Sequence, residues 1–194
     1  SLALIGGAIF GFCAASSWWS EGELAIGRRR SRVTPVLYGA TRVVIAVLRS
    51  IHELLWAVLL LAAFGVTQLA AVLAIAIPYS AILGKVFSEL LDEAPRDAAH
   101  ALREGGASRL QAFFLGILPR AFPDMAAYAF YRFECAVRSS AVLGFFGFPT
   151  LGYYIAASFE NLHYGEVWTY LYALAALVVA IEVWSSALRR RFVA

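Results

Sequence analysis

The stretch LLWAVLLLAAFGVTQLAAVLAIAIPYSAILG, residues 54–84, contains no Asp, Glu, Lys, Arg or His. One helical crossing of a bilayer takes about 20 apolar residues, so this run is long enough for most of two. A helix in the core of a soluble protein keeps a polar face over such a distance; this one has none. The composition of the whole chain agrees. Its 194 residues are 61% hydrophobic and only 15% charged, with a mean hydropathy of +0.73, whereas soluble domains carry about a quarter charged residues. The fold class is therefore all-α integral membrane.

Outward from this run, apolar stretches at residues 2–19, 36–64, 67–91, 110–137 and 167–188 predict five transmembrane helices in a single domain over 1–194. In the first, Gly6, Gly7, Ala8 and Gly11 allow another backbone to come close, and Trp18-Trp19 marks an exit through an aromatic interface. The second carries Arg42, Arg49, His52 and Glu53, with an interruption expected at 50–53 and an i,i+4 pair of Arg49 with Glu53 that anchors it near the membrane surface. Pro78 kinks the third, and Pro119 and Pro123 break the fourth. Ser1 is not Met, and no basic region precedes the apolar 1–20, so the chain is expected to begin inside a larger protein rather than with a secretory signal. Cys13 and Cys135 lie in apolar stretches as buried free thiols, and their spacing predicts neither a metal site nor a disulfide.

Residues 139–159 form a further charge-free run. Gly144, Gly147, Pro149 and Gly152 argue against one uninterrupted helix. With five crossings, the arginines at 28–32, the polar loop at 92–109 and Arg189-Arg190-Arg191 fall on one side, which the positive-inside bias makes cytoplasmic. The run at 139–159 is then a re-entrant or broken segment before the last helix.

The polar loop holds a short helix. Pro95 suits its first turn, Asp97 lies at the positive end of its dipole, and Gly105-Gly106 offers a left-handed cap. Ala98, Ala101 and Leu102 make a small apolar face, either an interfacial helix or a seat for a soluble partner. The stretch from Asp97 through Gly106 to Gln111, followed by Ile117-Leu-Pro119, resembles the coupling loop of ABC importer permeases. Gly106 falls on the glycine of that motif, Pro119 on its terminal proline, and His100 where the family commonly has glutamate. The resemblance implies a cytoplasmic coupling helix at 92–109 that meets an ATPase subunit through Asp97, His100, Ala101, Leu102, Gly106 and Ala107.

Tyr131-Arg-Phe-Glu-Cys-Ala-Val-Arg-Ser-Ser-Ala-Val-Leu-Gly144 resembles the phosphonate importer permeases and their phosphite and hypophosphite relatives. Arg49-Ser-Ile-His-Glu53 resembles their arginine–proline–glutamate segment, with His52 in the proline's place. The match runs from about residue 47 to the end of the chain. It implies a multi-pass permease of the bacterial cytoplasmic (inner) membrane, a second and identical permease chain, an ATPase dimer that holds ATP and Mg, and an extracytoplasmic substrate-binding protein. No cofactor, metal or nucleic acid is expected on this chain, which has no Walker-type glycine–lysine loop.

Charged groups at membrane depth face a bundle interior or a water-filled route. Glu134 and Arg138 share a helix face with Tyr131; they either lock helix packing or leave an arginine to ease an oxyanion through the pathway, as a planar guanidinium suits phosphonate oxygens. Arg132 lies on a neighbouring strip with Ser139. Phe145, Phe146 and Phe148 offer either an apolar gate or a lipid-facing surface. The expected mechanism is alternating access. Two rivals are an intramembrane enzyme using His52, Glu53, Glu134 and His163, although no HExxH motif is present, and a structural membrane subunit with no pathway of its own.

Overall fold

The computed structural model describes residues 2–16 and 33–193, with side chains from 36 to 188 in the second range. The Trp18-Trp19 exit, the arginines at 28–32 and the side chains of Arg189–Arg191 lie outside the described residues. All regular structure among the described residues is helical: α1 (Leu2–Ala14), α2 (Val33–Ser50), α3 (Glu53–Phe64), α4 (Gln68–Glu93), α5 (Asp97–Glu104), α6 (Arg109–Ala112), a π-helical turn (Phe113–Ile117), α7 (Leu118–Val142), a 3-10 turn (Leu143–Phe146), α8 (Leu151–Glu160) and α9 (Tyr164–Val193).

Three stretches, Gln68–Glu93, Arg109–Glu160 and Tyr164–Leu188, are long and apolar enough to cross a membrane; counting the bent pair Val36–Ser50 and Glu53–Phe64 as one span makes four. The five predicted crossings are thus corrected to three or four among the described residues. With the bent pair counted as one span, the difference lies in α1. Its 13 residues rise only about 20 Å at 1.5 Å each, short of a hydrocarbon core of about 30 Å.

The interruption expected at 50–53 is a sharp bend between α2 and α3. His52 is extended (φ −64°, ψ 146°) and its Nδ1 accepts the Leu54 N–H at 3.3 Å, capping α3. A proline ring fixes φ near this value, so His52 holds the backbone a proline would impose and adds a cap that proline lacks. The bend also separates Arg49, in the last turn of α2, from Glu53, which opens α3. The i,i+4 relation expected between them requires a continuous helix and is absent. Pro78 lies inside α4 and Pro123 inside α7. The break expected near Pro119 and Pro123 is instead one π-helical turn, with the Leu118 N–H reaching the Phe113 carbonyl. Pro119 follows directly, so its missing donor falls where the hydrogen-bond register is already interrupted.

The described residues group into two compact units whose boundaries run through α4 and α7. The first holds the described part of 1–50 with Ser80–Tyr128, and the second Ile51–Tyr79 with Ala129–Phe192. In the first, α1 lies directly on α4. A Cβ on Gly7 would stand 2.5 Å from Leu83 Cβ, and one on Gly84 2.5 Å from Phe10 Cβ. Gly6 and Gly11 make the same close approach to Ser80 and Phe87, as the small residues of the first segment predicted; Ala8 is exposed. The Asp92 carboxylate accepts the Ser16 N–H at 3.0 Å beyond the end of α1.

In the second unit, Ala57, Ala70, Ala74, Leu143 and Phe148 form the buried core. The run at 139–159 is broken as expected: α7 ends at Val142, a 3-10 turn follows, Gly147 takes φ +88°, and α8 begins at Leu151. Gly144 and Gly152 make this possible. A Cβ on either would collide with backbone, at Tyr153 N for Gly144 and at Ala141 O for Gly152.

Replacing Gly84 with valine should therefore cost about 1–3 kcal/mol through overpacking, read as a lower melting temperature of the purified protein. Gly39→Val is the control, because a Cβ at Gly39 meets nothing within 4 Å. Gly152→Ala should dislodge α8 from the end of α7, and limited proteolysis should then cut at 147–151 faster than in the parent chain.

Candidate functional site

The helix in the polar loop, α5, is short and tightly terminated. Arg96 occupies the cap position of α5, with the His100 N–H on its carbonyl at 2.9 Å. Pro95 consequently precedes the cap instead of lying in the first turn. At the other end the Ala107 N–H reaches the Leu102 carbonyl at 2.9 Å and the Gly106 N–H reaches that of Arg103 at 3.0 Å, a Schellman closure. Gly106 alone carries the left-handed backbone, at φ +87°, while Gly105 has φ −73°. Directly after it Ser108 and Gln111 form a capping box, at 2.9 and 3.3 Å, which opens α6. The S-x-x-Q spacing of 108–111 was the readable signal for it.

One face of α5 is committed to the chain itself. Ala99 is buried, and a Cβ on Gly116 in the π-helical turn would stand 2.9 Å from Ala99 Cα. Leu102 packs on the same apolar cluster. The expected face of Ala98, Ala101 and Leu102 is therefore divided, because the inward strip of α5 runs through Ala99 and Leu102. The opposite strip, Asp97, His100, Ala101 and Glu104, is exposed, at the i, i+3, i+4 and i+7 spacing of one helix face. Gly106 is exposed and Ala107 half-buried. The arrangement is a compact mixed-charge face held on the turn that begins α7, so a push on α5 reaches α7 through backbone contact.

The second group of predicted residues lies on α7, on two faces. Arg132 and Ser139 are seven residues apart, two turns along one face. Ser139 Oγ donates to Glu53 Oε1 at 2.6 Å and meets the Tyr79 hydroxyl at 3.0 Å. The Arg132 guanidinium lies 6.0 Å from the Tyr79 ring centre and 5.9 Å from that of Tyr131. Glu134 and Arg138 occupy the other face, where they line a cleft with Val178, Ile181 and Glu182 of α9. Tyr131 is exposed. The three phenylalanines divide as well: Phe148 is buried, Phe146 packs on the unit's core, and Phe145 is 62% exposed.

Glu53 and Tyr79 were missed as partners of Ser139. They lie 86 and 60 residues away from it, and no local spacing encodes such a meeting. His163 and Glu166, at 3.8 Å, flank the turn into α9, where Ser158 Oγ also donates to Glu166. Among the described residues no group of three or more His, Cys, Asp or Glu side chains is placed to hold a metal ion.

Comparison with known proteins agrees with this architecture. The chain is 33% identical over 170 residues to a phosphite transport system permease protein of Stutzerimonas stutzeri, covering 86% of this chain and 61% of that protein. It is 30% identical over 159 residues to a phosphate-import permease protein of Mycolicibacterium smegmatis, covering 82% of this chain and 30% of that one. The chain thus spans less than two thirds of the length of these relatives. An amino acid ABC transporter crystallised with histidines superposes with a TM-score of 0.74 at 20% identity, over 98% of this chain and 87% of that one, a likeness of fold. Residues 24–194 match the family described as the binding-protein-dependent transport system inner membrane component. With nearly the whole chain inside that match and a helical multi-span fold around it, this protein belongs to that family of inner-membrane transport components.

Proposed function

We propose that this chain is the transmembrane permease subunit of an ATP-driven ABC importer for phosphonate, phosphite or a related small phosphorus oxyanion. The observation that carries the reading is α5, a short helix whose Asp97–His100–Ala101–Glu104 face is exposed while Ala99 is clamped on Gly116. An exposed face on a rigid mount is what a coupling helix requires. The substrate class follows from the Tyr131–Gly144 motif and from relatives named for phosphite and phosphate.

In this reading the chain forms a single transmembrane domain and pairs with a second permease chain, identical to it, around a pathway. Two ATPase subunits hold ATP and Mg and grip the 92–109 loops through Asp97, His100, Ala101, Gly106 and Ala107, while Leu102 supports α5 from within. ATP-driven closure draws the two coupling helices together, moves α7 through the π-helical turn, and opens the pathway to an extracytoplasmic binding protein. Hydrolysis resets it. α7 carries the chain outward and α9 returns it, with 139–159 turning back at the outer end. Arg132 and Ser139 on one face of α7, and Glu134 and Arg138 on the other, contribute the polar lining. Tyr131 and Phe145 stand at its exposed margin, and Phe146 braces the 3-10 turn.

Reconstituted vesicles with the ATPase and a loaded binding protein should take up phosphorus oxyanions from a panel of phosphonate, phosphite, hypophosphite and phosphate. Failure to co-purify any ATPase, or turnover of a substrate by the chain alone, would sink the permease reading.

Two substitutions sharpen it. Gly106→Val forces a β-branched residue into φ +87°, at a cost of about 1–2 kcal/mol. It should leave membrane insertion intact while ATP hydrolysis continues with uptake reduced about tenfold or more; unchanged uptake counts against docking. Arg138→Met should lower uptake per folded complex about tenfold, the equivalent of about 1.4 kcal/mol. Equal uptake returns Arg138 to packing.

A further inference from the structure

Between Val167 and Leu188 the sequence of α9 contains one charged residue, Glu182. It falls within Tyr164–Leu188, a stretch long and apolar enough to cross a membrane, yet it is exposed. Arg138 of α7 is exposed as well, and both line the cleft that Glu134 shares. Although opposite in charge and set in one cleft, neither Arg138 nor Glu182 forms an ion pair or hydrogen bond with a described residue. Beside them the exposed rings of Phe133 and Trp184 meet at 6.5 Å. All of these residues belong to the second unit.

A charge inside a span faces protein or water, because hydrocarbon solvates neither sign. An exposed carboxylate and an exposed guanidinium on one face of two spanning helices therefore mark a face that something other than lipid covers. A water-filled route for an anion gains from Arg138 but is opposed by Glu182 beside it. A second copy of the chain accounts for both. A two-fold interface is self-complementary: where residue i of one copy meets residue j of the other, j also meets i. One positive and one negative group on the same face, unpaired with each other, meet that condition and yield two ion pairs from a single operation. We propose that the α7–α9 face carrying Arg138 and Glu182 is the contact between two copies of this chain, with Arg138 of each copy paired to the partner's Glu182. Phe133 and Trp184 supply an apolar flank of the kind that anchors interfaces. The inference rests on the permease reading, in which two identical chains enclose a pathway, and names the face on which they meet. Arg138 borders the pathway and reaches the partner at once, since the pathway runs between the chains.

The test uses the full permease with its ATPase, expressed as two differently tagged permease chains. Arg138→Glu leaves a chain with two carboxylates at these positions, and Glu182→Arg a chain with two guanidiniums. Either variant alone sets like charges against each other across the two-fold, so its pairs should be recovered about tenfold less than the parent's, and uptake should fall in step. Co-expressed, the two variants restore opposite charges at both contacts only by pairing with each other. Mixed pairs should then exceed like pairs about tenfold or more, with uptake regained. Statistical mixing, or single variants that pair as the parent does, overturns the interface. A charge lock within one chain predicts no such rescue, because each variant keeps like charges in its own cleft. Where a charged variant fails to reach the membrane, neutral substitutions decide. One chain carries Arg138→Cys and the other Glu182→Cys, both with Cys13→Ser and Cys135→Ser, and a short thiol crosslinker should join unlike tags in preference to like ones. No preference overturns the proposal. Parent chains of the two tags that never co-purify overturn it too, since the face then meets lipid or a different chain. Parent uptake with the loaded binding protein is measured alongside. Its absence refutes the permease reading, whereas normal uptake without rescue or crosslinking refutes this interface alone.

Discussion

Hydrocarbon offers no hydrogen-bond partner, and that deprivation organises the rest of this molecule. Each backbone donor in a span must be satisfied within its own helix, which leaves helices as the only spanning element for a chain without a barrel pattern. The same rule governs side chains. Glu53 is met by a helix start and a serine hydroxyl, and Lys85 pairs with Glu89 one turn along α4. Ser88, fully buried on the same helix, returns its proton to the Lys85 carbonyl. Against this background Trp56 Nε1 and Ser185 Oγ, both buried without an acceptor among the described residues, stand out as donors the fold leaves unused.

Cohesion between helices has a different source. Lipid tails are as apolar as leucine, so burying leucine against leucine stabilises little, and contact depends on how closely two backbones approach. Glycine supplies that closeness at three places: α1 on α4, the π-helical turn on α5, and α8 on the end of α7. At Gly116 the π-helical turn meets the backbone of α5 at Ala99 rather than a deformable side chain, which makes this the stiffest of the three contacts.

Much of this was legible. The bend at 50–53 was expected because Arg49, His52 and Glu53 interrupt an apolar run, and the structure puts it there. The broken character of 139–159 followed from Gly144, Gly147, Pro149 and Gly152, whose backbone preferences act locally. The Schellman closure followed from Gly106. The misses have a common cause. Pro119 and Pro123 read as breaks because a proline lacks a donor, but a π-helical turn just upstream absorbed the defect of Pro119, and Pro123 lies inside α7 without ending it. Leu102 read as outward because a heptad-like strip looks the same from either side, and only Gly116 decides which side is occupied.

From its sequence alone this protein was determined to be helical, membrane-embedded and punctuated at particular glycines and prolines, since these depend on the medium and on local dihedral preferences that each residue carries with it. Tertiary structure decided which helices are long enough to cross, which strip of α5 faces outward, and that Glu53, Tyr79 and Ser139 meet. Those outcomes depend on contacts between residues up to 86 positions apart, where the distance along the chain says nothing about the distance in space.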